Sequence, residues 1–460
     1  ENSPHWGISY FGILATGATT VPILPDFRSG EIRSILDHAE VKAVFVSSKL
    51  ISRLEKGLPE SVELVVNMDN FQVLEIQKGQ VVAPANENGK LEKLNAKEDH
   101  YPGAEAFYQA EADDLAAIIY TSGTTGRSKG VMLSHENILS DAKFTRSIHE
   151  VVADDRFLSV LPLAHTYECT VGMLVPLLNG SMIRYIDRAP TAAYLGPILK
   201  DLKPTTMLTV PLIMEKIFAA RIKPALYGKP LMRTLMKFGP TRKILSKAAA
   251  NKLMAFFGGE MRFFGIGGAP LSPEVERFLL DGSFPYAIGY GLTETSPMIA
   301  GFGPDAAIFK SVGTIMEGAD IKIVNPDPVD HEGEIVVKGS MVMKGYYKDE
   351  EKTSEVFTDD GYFRTGDLGH LDPKGILYIR GRLKNMILGP NGENIYPEEI
   401  EAVINREEYV SESLVMQYKG KLTARVHLNM ESFEEKYKHL KENAEEFKKH
   451  VQERADEALE

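Results

Sequence analysis

The chain has 460 residues, 43% of them apolar and 25% charged, which is ordinary globular usage and rules out a disordered or collagen-like protein. Its 64 acidic residues outnumber 52 basic ones, and the net charge of −12 argues against nonspecific nucleic-acid binding. A single cysteine, Cys169, excludes an internal disulfide and any multi-cysteine metal site, and it fits a reducing, cytoplasmic setting.

At about 150 residues per domain the length predicts roughly three domains or subdomains. The chain opens at Glu1 rather than Met, in mid-pattern, and so reads as a piece of a longer protein. No basic region followed by an apolar stretch opens it.

Trp6, Tyr10, Ile13 and Leu14 recur at helical spacing, and Val21-Pro22-Ile23-Leu24 reads as a short strand. Ile32, Ile35 and Leu36 predict a second helix, and Ala43-Val44-Phe45-Val46 a second strand. Such alternation predicts a mostly parallel sheet. Residues 67–112 are polar and read as a connection with a small helix near Glu105. The alternation resumes at Leu115 and runs to about residue 300. Within it, Phe157 to Gly180 is the longest apolar region. His165, Glu168 and Pro176 break it, so it reads as a buried strand–turn–helix and not a membrane span. After residue 310, Ile321–Val324 and Glu334–Val337 are short alternating strands between turn residues, predicting an antiparallel sheet or small barrel. A third piece, 385–430, carries a helix near Pro397–Asn405 and strands near 413–417 and 423–428. The tail from Glu431 repeats apolar residues at three and four, as a solvated amphipathic helix does.

The densest chemical signal is Tyr120-Thr121-Ser122-Gly123-Thr124-Thr125-Gly126-Arg127-Ser128-Lys129-Gly130, set between two apolar strands. Its glycines let the backbone turn tightly and approach a ligand. Its hydroxyls, amides and lysine supply the distributed donors and point charge that a polyphosphate needs. The spacing is not that of a Walker A loop. Gly289-Tyr290-Gly291-Leu292-Thr293-Glu294-Thr295 gathers a flat aromatic face for a purine, a hydroxyl for a phosphoryl oxygen and a hard carboxylate for Mg²⁺. Asp367, after Arg364-Thr365-Gly366, can accept both hydroxyls of a ribose.

The 120–130 loop resembles the phosphate-binding signature of the adenylate-forming superfamily: acyl-CoA synthetases, nonribosomal peptide adenylation domains and luciferases. Further stretches resemble that superfamily's motifs in the expected order: Leu161-Pro162-Leu163-Ala164-His165-Thr166-Tyr167-Glu168, Gly267-Gly268-Ala269-Pro270-Leu271, the 289–295 stretch, Gly333-Glu334-Ile335, Tyr362 to Gly369, and Gly381-Arg382-Leu383-Lys384. The His-Thr-Tyr-Glu form and the Gly-Gly-Ala-Pro-Leu segment look most like fatty acyl-CoA ligases.

The resemblance implies an α/β fold: a large N-terminal domain of stacked α/β sheets over residues 1–381, with a β-rich, barrel-like subdomain at about 310–381. A small, mobile α+β C-terminal domain, 382–460, follows a hinge. The resemblance also implies an ATP-dependent fatty acid:CoA ligase that forms acyl-AMP with release of pyrophosphate and then AMP. Thr121, Lys129, His165, Thr293 and Glu294 would do the chemistry, with Thr121 and Glu294 on Mg²⁺. Ser122, Gly123, Thr124, Thr125 and Gly126 would cradle phosphates. Gly268, Ala269, Pro270, Gly289, Tyr290 and Gly291 would also bind the nucleotide, with Tyr290 on the purine and Gly268 and Ala269 against the base or the acyl chain. Asp367 would hold the ribose and Arg382 the ribose or a phosphate. Lys384 would be the hinge, His165 a gate beside the carboxylate, and Gly392 and Glu393 would face the channel for coenzyme A.

The superfamily's C-terminal lysine segment is not found after residue 405, so slow adenylation by this chain is expected. The alternatives are an adenylate-forming enzyme for another carboxylate or a carrier protein, and a nucleotide- or lipid-binding protein without turnover. Fatty acid and coenzyme A are the expected partners, with no nucleic acid; peripheral membrane contact and oligomeric state stay open.

Overall fold

The structure is a computed structural model that describes residues 1–82, 107–121, 128–188, 190–328, 331–388, 394–405, 410–418 and 421–428. The predicted helix near Glu105 and the tail helix from 431 lie outside these residues. Packing divides the chain into two units. The first joins Glu1–Asp320 to Val337–Phe363, and the second joins Ile321–Val336 to the chain from Arg364 onward.

The first unit opens with helix Pro4–Ala15, where the Ser3 hydroxyl accepts the Trp6 N–H and a proline fills the first turn. The segment 21–24, expected as a strand, is not one. Pro22 and Pro25 lack the donors a ladder needs, and only Thr20 bridges to Ala117. Strands β1 (Ala43–Val46), β2 (Leu64–Asn67), β3 (Gln72–Gln77) and β4 (Gln80–Val82) form one sheet in that order. β3 and β4 fall in the stretch read as connection. They are short and half polar, which leaves little apolar pattern to read.

The next two strands, β5 (Leu115–Thr121) and β6 (Lys129–Ser134), pair antiparallel, and the two-residue strand Gly345–Tyr346 adds to the free edge of β6. A second sheet holds β7 (Arg156–Ser159), β8 (Met182–Tyr185), β9 (Thr206–Thr209), β10 (Phe263–Ile266), β11 (Tyr286–Gly291), β12 (Met298–Phe302) and β13 (Gly313–Ile315). Its order runs β13-β12-β11-β10-β9-β7-β8, parallel from β11 to β8 and antiparallel at β12 and β13. Every residue of β9 and β10 is buried, as expected of strands covered on both faces. Helices α1 (Pro230–Met236) and α2 (Gly239–Phe256) pack against its core through Met236, Ala249, Ala250 and Leu253.

In the second unit, strands Ile321–Val324, Gly333–Val336, Arg364–Leu371 and Ile376–Arg382 lie side by side. Helix Pro397–Ile404 and the hairpin of Val410–Tyr418 with Lys421–Leu428 complete it, close to the predicted elements. The architecture is mixed α/β, with a large sheet-rich N-terminal part and a smaller C-terminal part.

Candidate active site

The ends of the glycine- and hydroxyl-rich stretch are set by β5 and β6, which pair antiparallel on either side of it. β5 reads Leu-Ala-Ala-Ile-Ile-Tyr-Thr and is buried from Ala116 to Tyr120, so its end is fixed by the core. The register pairs Thr121 with Lys129 and Tyr120 with Gly130, placing Thr121 and Lys129 opposite each other at the mouth of the loop. Ser122, Gly123, Thr124, Thr125 and Gly126 lie outside the described residues. Below the mouth, His38 Nδ1 lies 2.6 Å from the Tyr120 hydroxyl, and the His38 ring meets both Tyr120 and Tyr347 edge-on.

Helix His135–Ile148 starts directly after β6. Ser134 and Asn137 form a reciprocal capping box that fixes its first turn. Asn137 Nδ2 then donates to the carbonyls of Ser340 (2.7 Å) and Val342 (3.0 Å). From there the chain runs along β6: Lys344 N donates to Met132 O at 2.9 Å, and Tyr347 N to Gly130 O at 2.7 Å. A side chain at Gly130 would crowd this approach, because a Cβ there would sit 2.9 Å from the Ile118 side chain and 3.3 Å from Tyr347 Cβ.

Glu294 lies in the short 3₁₀ turn Thr293–Thr295 after β11. The turn is closed by Leu292 N donating to the Thr295 hydroxyl at 3.0 Å. Gly291 makes it possible: a Cβ there would lie 1.7 Å from the Pro297 carbonyl oxygen. The 340–347 segment holds this turn as well. Met343 N donates to Glu294 O (2.9 Å), and the Ser296 hydroxyl donates to Met341 O (2.9 Å).

The result is a three-residue relay. The buried Tyr346 donates its hydroxyl to Glu294 Oε1 at 2.9 Å, and the Lys129 ammonium sits 4.7 Å from the centre of the Tyr346 ring. Burial, followed by the Glu294 charge and this hydrogen bond, raises the Tyr346 pKa, so the phenol stays a donor. The sequence reading singled out Lys129 and Glu294 but not Tyr346. The Gly345-Tyr346-Tyr347 triplet is the one signal that could have pointed to it.

The remaining motifs of the first unit meet behind β11. Tyr167 packs on the glycine turn after β10: a Cβ at Gly267 would lie 3.3 Å from its ring and 3.5 Å from the Gly289 carbonyl. Gly268, Ala269 and Pro270 follow as an exposed turn, and Gly289, Tyr290 and Thr293 are half-buried. His165 is solvent-accessible, yet the surrounding protein lowers its pKa by desolvation, which favours the neutral ring. Three residues on, Glu168 is fully buried, with both carboxylate oxygens lacking a partner of hydrogen-bond geometry. Burial pushes its pKa up to about 8, with the nearby Ser159 hydroxyl acting in the opposite direction. Cys169 is also buried, and its thiol is pushed up to about 12. No thiolate nucleophile is available there.

In the second unit, Asp367 and Arg382 are a register pair, with Arg382 Nε 2.9 Å from Asp367 Oδ1. The Asp367 side chain is buried, and its N–H donates to the Thr365 hydroxyl at 3.1 Å. Lys384 stands exposed in the turn that follows, where Asn385 N and Met386 N both donate to Arg382 O. Gly392 and Glu393 lie outside the described residues.

A family model described as AMP-binding enzyme matches residues 1–347. This chain belongs to the AMP-binding enzyme family. The adenylate-forming resemblance read from the motifs therefore holds. Among curated relatives, a peroxisomal long chain acyl-CoA synthetase 6 of Arabidopsis thaliana is 30% identical over 90% of this chain and 61% of its own length. Long-chain-fatty-acid–CoA ligase 5 of Mus musculus is 31% identical over 90% of this chain and 64% of its own. The chain thus spans less than two thirds of these relatives. Among solved structures, ATP-bound MatB from Rhodopseudomonas palustris superposes with a TM-score of 0.70 at 26% identity, covering 94% of this chain and 77% of that one. MenE from Bacillus subtilis in complex with the acyl-adenylate OSB-AMP shares the fold, with a TM-score of 0.68 at 21% identity over 95% of this chain and 80% of that one.

Among the described residues no group of three or more His, Cys, Asp or Glu side chains could hold a metal ion, and no helix is long and apolar enough to cross a membrane.

Proposed function

We propose that the chain is the nucleotide-handling body of an ATP-dependent long-chain fatty acid:CoA ligase. The observation that carries the proposal is the Lys129–Tyr346–Glu294 relay, which joins a phosphate-type hairpin mouth to a lone carboxylate. Family membership and the names of the curated relatives support the substrate class.

In the first half-reaction the fatty-acid carboxylate attacks the α-phosphorus of ATP. The bond to the pyrophosphate oxygen breaks, leaving acyl-AMP. Lys129 and the hairpin turn hold the departing phosphates, Thr293 donates to the α-phosphate, and Tyr290 and the 268–270 turn flank the base. Asp367, positioned by Arg382, accepts from the ribose. These groups act by positioning and by charge stabilisation. In the second half-reaction the thiol of coenzyme A attacks the acyl carbon and expels AMP. The nucleophile comes from the substrate, in keeping with the buried Cys169. Lys384 would serve as the hinge between the two steps, and neutral His165 as the gate beside the acyl group.

A single carboxylate fits Mg²⁺ at a nucleotide, where phosphate oxygens and water complete the shell. Glu294 and Thr121 would hold the ion, which neutralises charge on the triphosphate. Oε2 of Glu294 makes no hydrogen bond among the described residues, which suits this role.

Mass spectrometry of the chain incubated with ATP, Mg²⁺, coenzyme A and a mixed fatty-acid pool tests the reading. Acyl-AMP, acyl-CoA and AMP are the expected products. Release of ADP, or a clear preference for acetate or benzoate in an acid panel, would reject it; nucleotide binding without AMP would mark a binding protein instead.

A further inference from the structure

The helix pair α1–α2 carries exposed residues that have no role in the site described above. Between Lys229 and Lys252 the sequence holds seven basic residues and no acidic one, in a chain of net charge −12. Arg242 is spent on Asp281, at 2.5 Å. The other six, Lys229, Arg233, Lys237, Lys243, Lys247 and Lys252, are exposed and make no ion pair among the described residues. Their positions follow the helix. The inward stripe of α2 is Ser246, Ala249, Ala250 and Leu253, so Ile244, Lys247 and Lys252 look outward, and Lys243 is exposed at the N-terminal end of that stripe.

Large apolar side chains stand among these charges. Leu231 is 70% exposed, Phe238 59% and Ile244 69%. Leu231 lies in the first turn of α1, Phe238 is the extended residue between the two helices, and Ile244 lies in the second turn of α2. A nucleic-acid backbone would use the lysines and leave Leu231 and Ile244 in water. An anionic bilayer uses both, with cations at the headgroups and apolar side chains in the acyl boundary. The rest of the chain is more acidic than the whole, so the attraction to such a surface comes from this stretch and not from the chain's net charge.

We propose that the outer face of α1–α2 docks the protein on membranes rich in anionic lipid, with Leu231, Phe238 and Ile244 inserted and the six exposed cations at the headgroups.

Flotation of the 460-residue chain with vesicles tests this. The probes are vesicles of phosphatidylcholine alone and vesicles in which about a third of the lipid is phosphatidylserine. Binding is expected to the second kind only, and to weaken as salt is raised. The Lys237→Gln/Lys243→Gln/Lys247→Gln variant should bind about a hundredfold more weakly. The Leu231→Ser/Phe238→Ser/Ile244→Ser variant should lose tenfold or more. All six positions are exposed, so melting temperature and ATP binding should match the parent and report an intact fold. Three results would overturn the proposal. One is unaltered vesicle binding in either variant, or none by the parent. The second is tight binding to duplex DNA that survives loss of the three apolar side chains. The third is a concentration-dependent dimer that the same substitutions dissolve, which would make a second copy the occupant. None depends on whether the chain makes acyl-AMP.

Discussion

Tyr346 ties together two motifs that lie more than 150 residues apart in sequence, and removing its hydroxyl isolates that one contribution. A hydrogen bond to a charged group is worth about 1.5–3 kcal/mol. Tyr346→Phe should therefore slow adenylation roughly tenfold to a hundredfold and raise the Mg²⁺ needed for ATP binding, while Tyr346→Leu should also loosen Lys129. Calorimetric ATP titrations at stepped Mg²⁺, alongside pyrophosphate exchange, read both effects. An unchanged Mg²⁺ requirement in the Phe variant would contradict the relay. Glu168 gives a different prediction, one of stability. Its pKa is raised to about 8, so its proton is held more tightly in the folded chain. The contribution is complete below the ordinary carboxyl value of about 4.3 and is lost as pH climbs to about 8. Glu168→Gln should lack that decline, so the melting-temperature difference between variant and parent should widen in the variant's favour from acid to neutral pH. At this scale the sequence was legible where chemistry needs a rare residue pattern, as in the loop ending at Lys129 and in Glu294. Tyr346 was not legible, because a tyrosine after a glycine looks like any turn until its hydroxyl is seen to face a carboxylate.

Elements decide whether those residues meet. The turn after β11 is held open for Glu294 by the absence of a side chain at Gly291, whose Cβ would overlap the Pro297 carbonyl. Gly291→Ala should cost more than about 3 kcal/mol, near the upper end for single substitutions. Thermal or urea unfolding measures it, and a loss under about 1 kcal/mol would show that the turn can shift. In the second unit, Arg382→Ala removes the guanidinium that lies 2.9 Å from the buried Asp367 carboxylate. Arg382 is half exposed, so the stability loss should stay near 1 kcal/mol, with the larger effect on nucleotide affinity measured by calorimetry. Strands were readable where they are apolar and long enough to show a period, as β5 and β6 are. Residues 21–24 had the composition of a strand but prolines at the wrong places, and β3–β4 had the pairing without the composition. Backbone hydrogen bonding, which sequence patterns register only indirectly, settled both.

At the scale of the whole molecule, composition marks the change of texture near residue 310 but carries no sign that Val337–Phe363 returns to the first unit. The buried side chains of Met341, Met343 and Tyr346 settle that, since they find their cover beside β6 and the Glu294 turn. The alternation of strands and helices was enough for the α/β class, because it follows from one period per element. The chain's only sulfhydryl is sealed inside, at Cys169. Maleimide dyes should consequently leave the native parent unlabelled, and Lys384→Cys, at an exposed turn, should accept one fluorophore per molecule. Its emission would then follow that turn in real time, with a step expected on adding ATP and fatty acid and a second on adding coenzyme A; a flat trace through both additions would show that the turn does not move during the cycle.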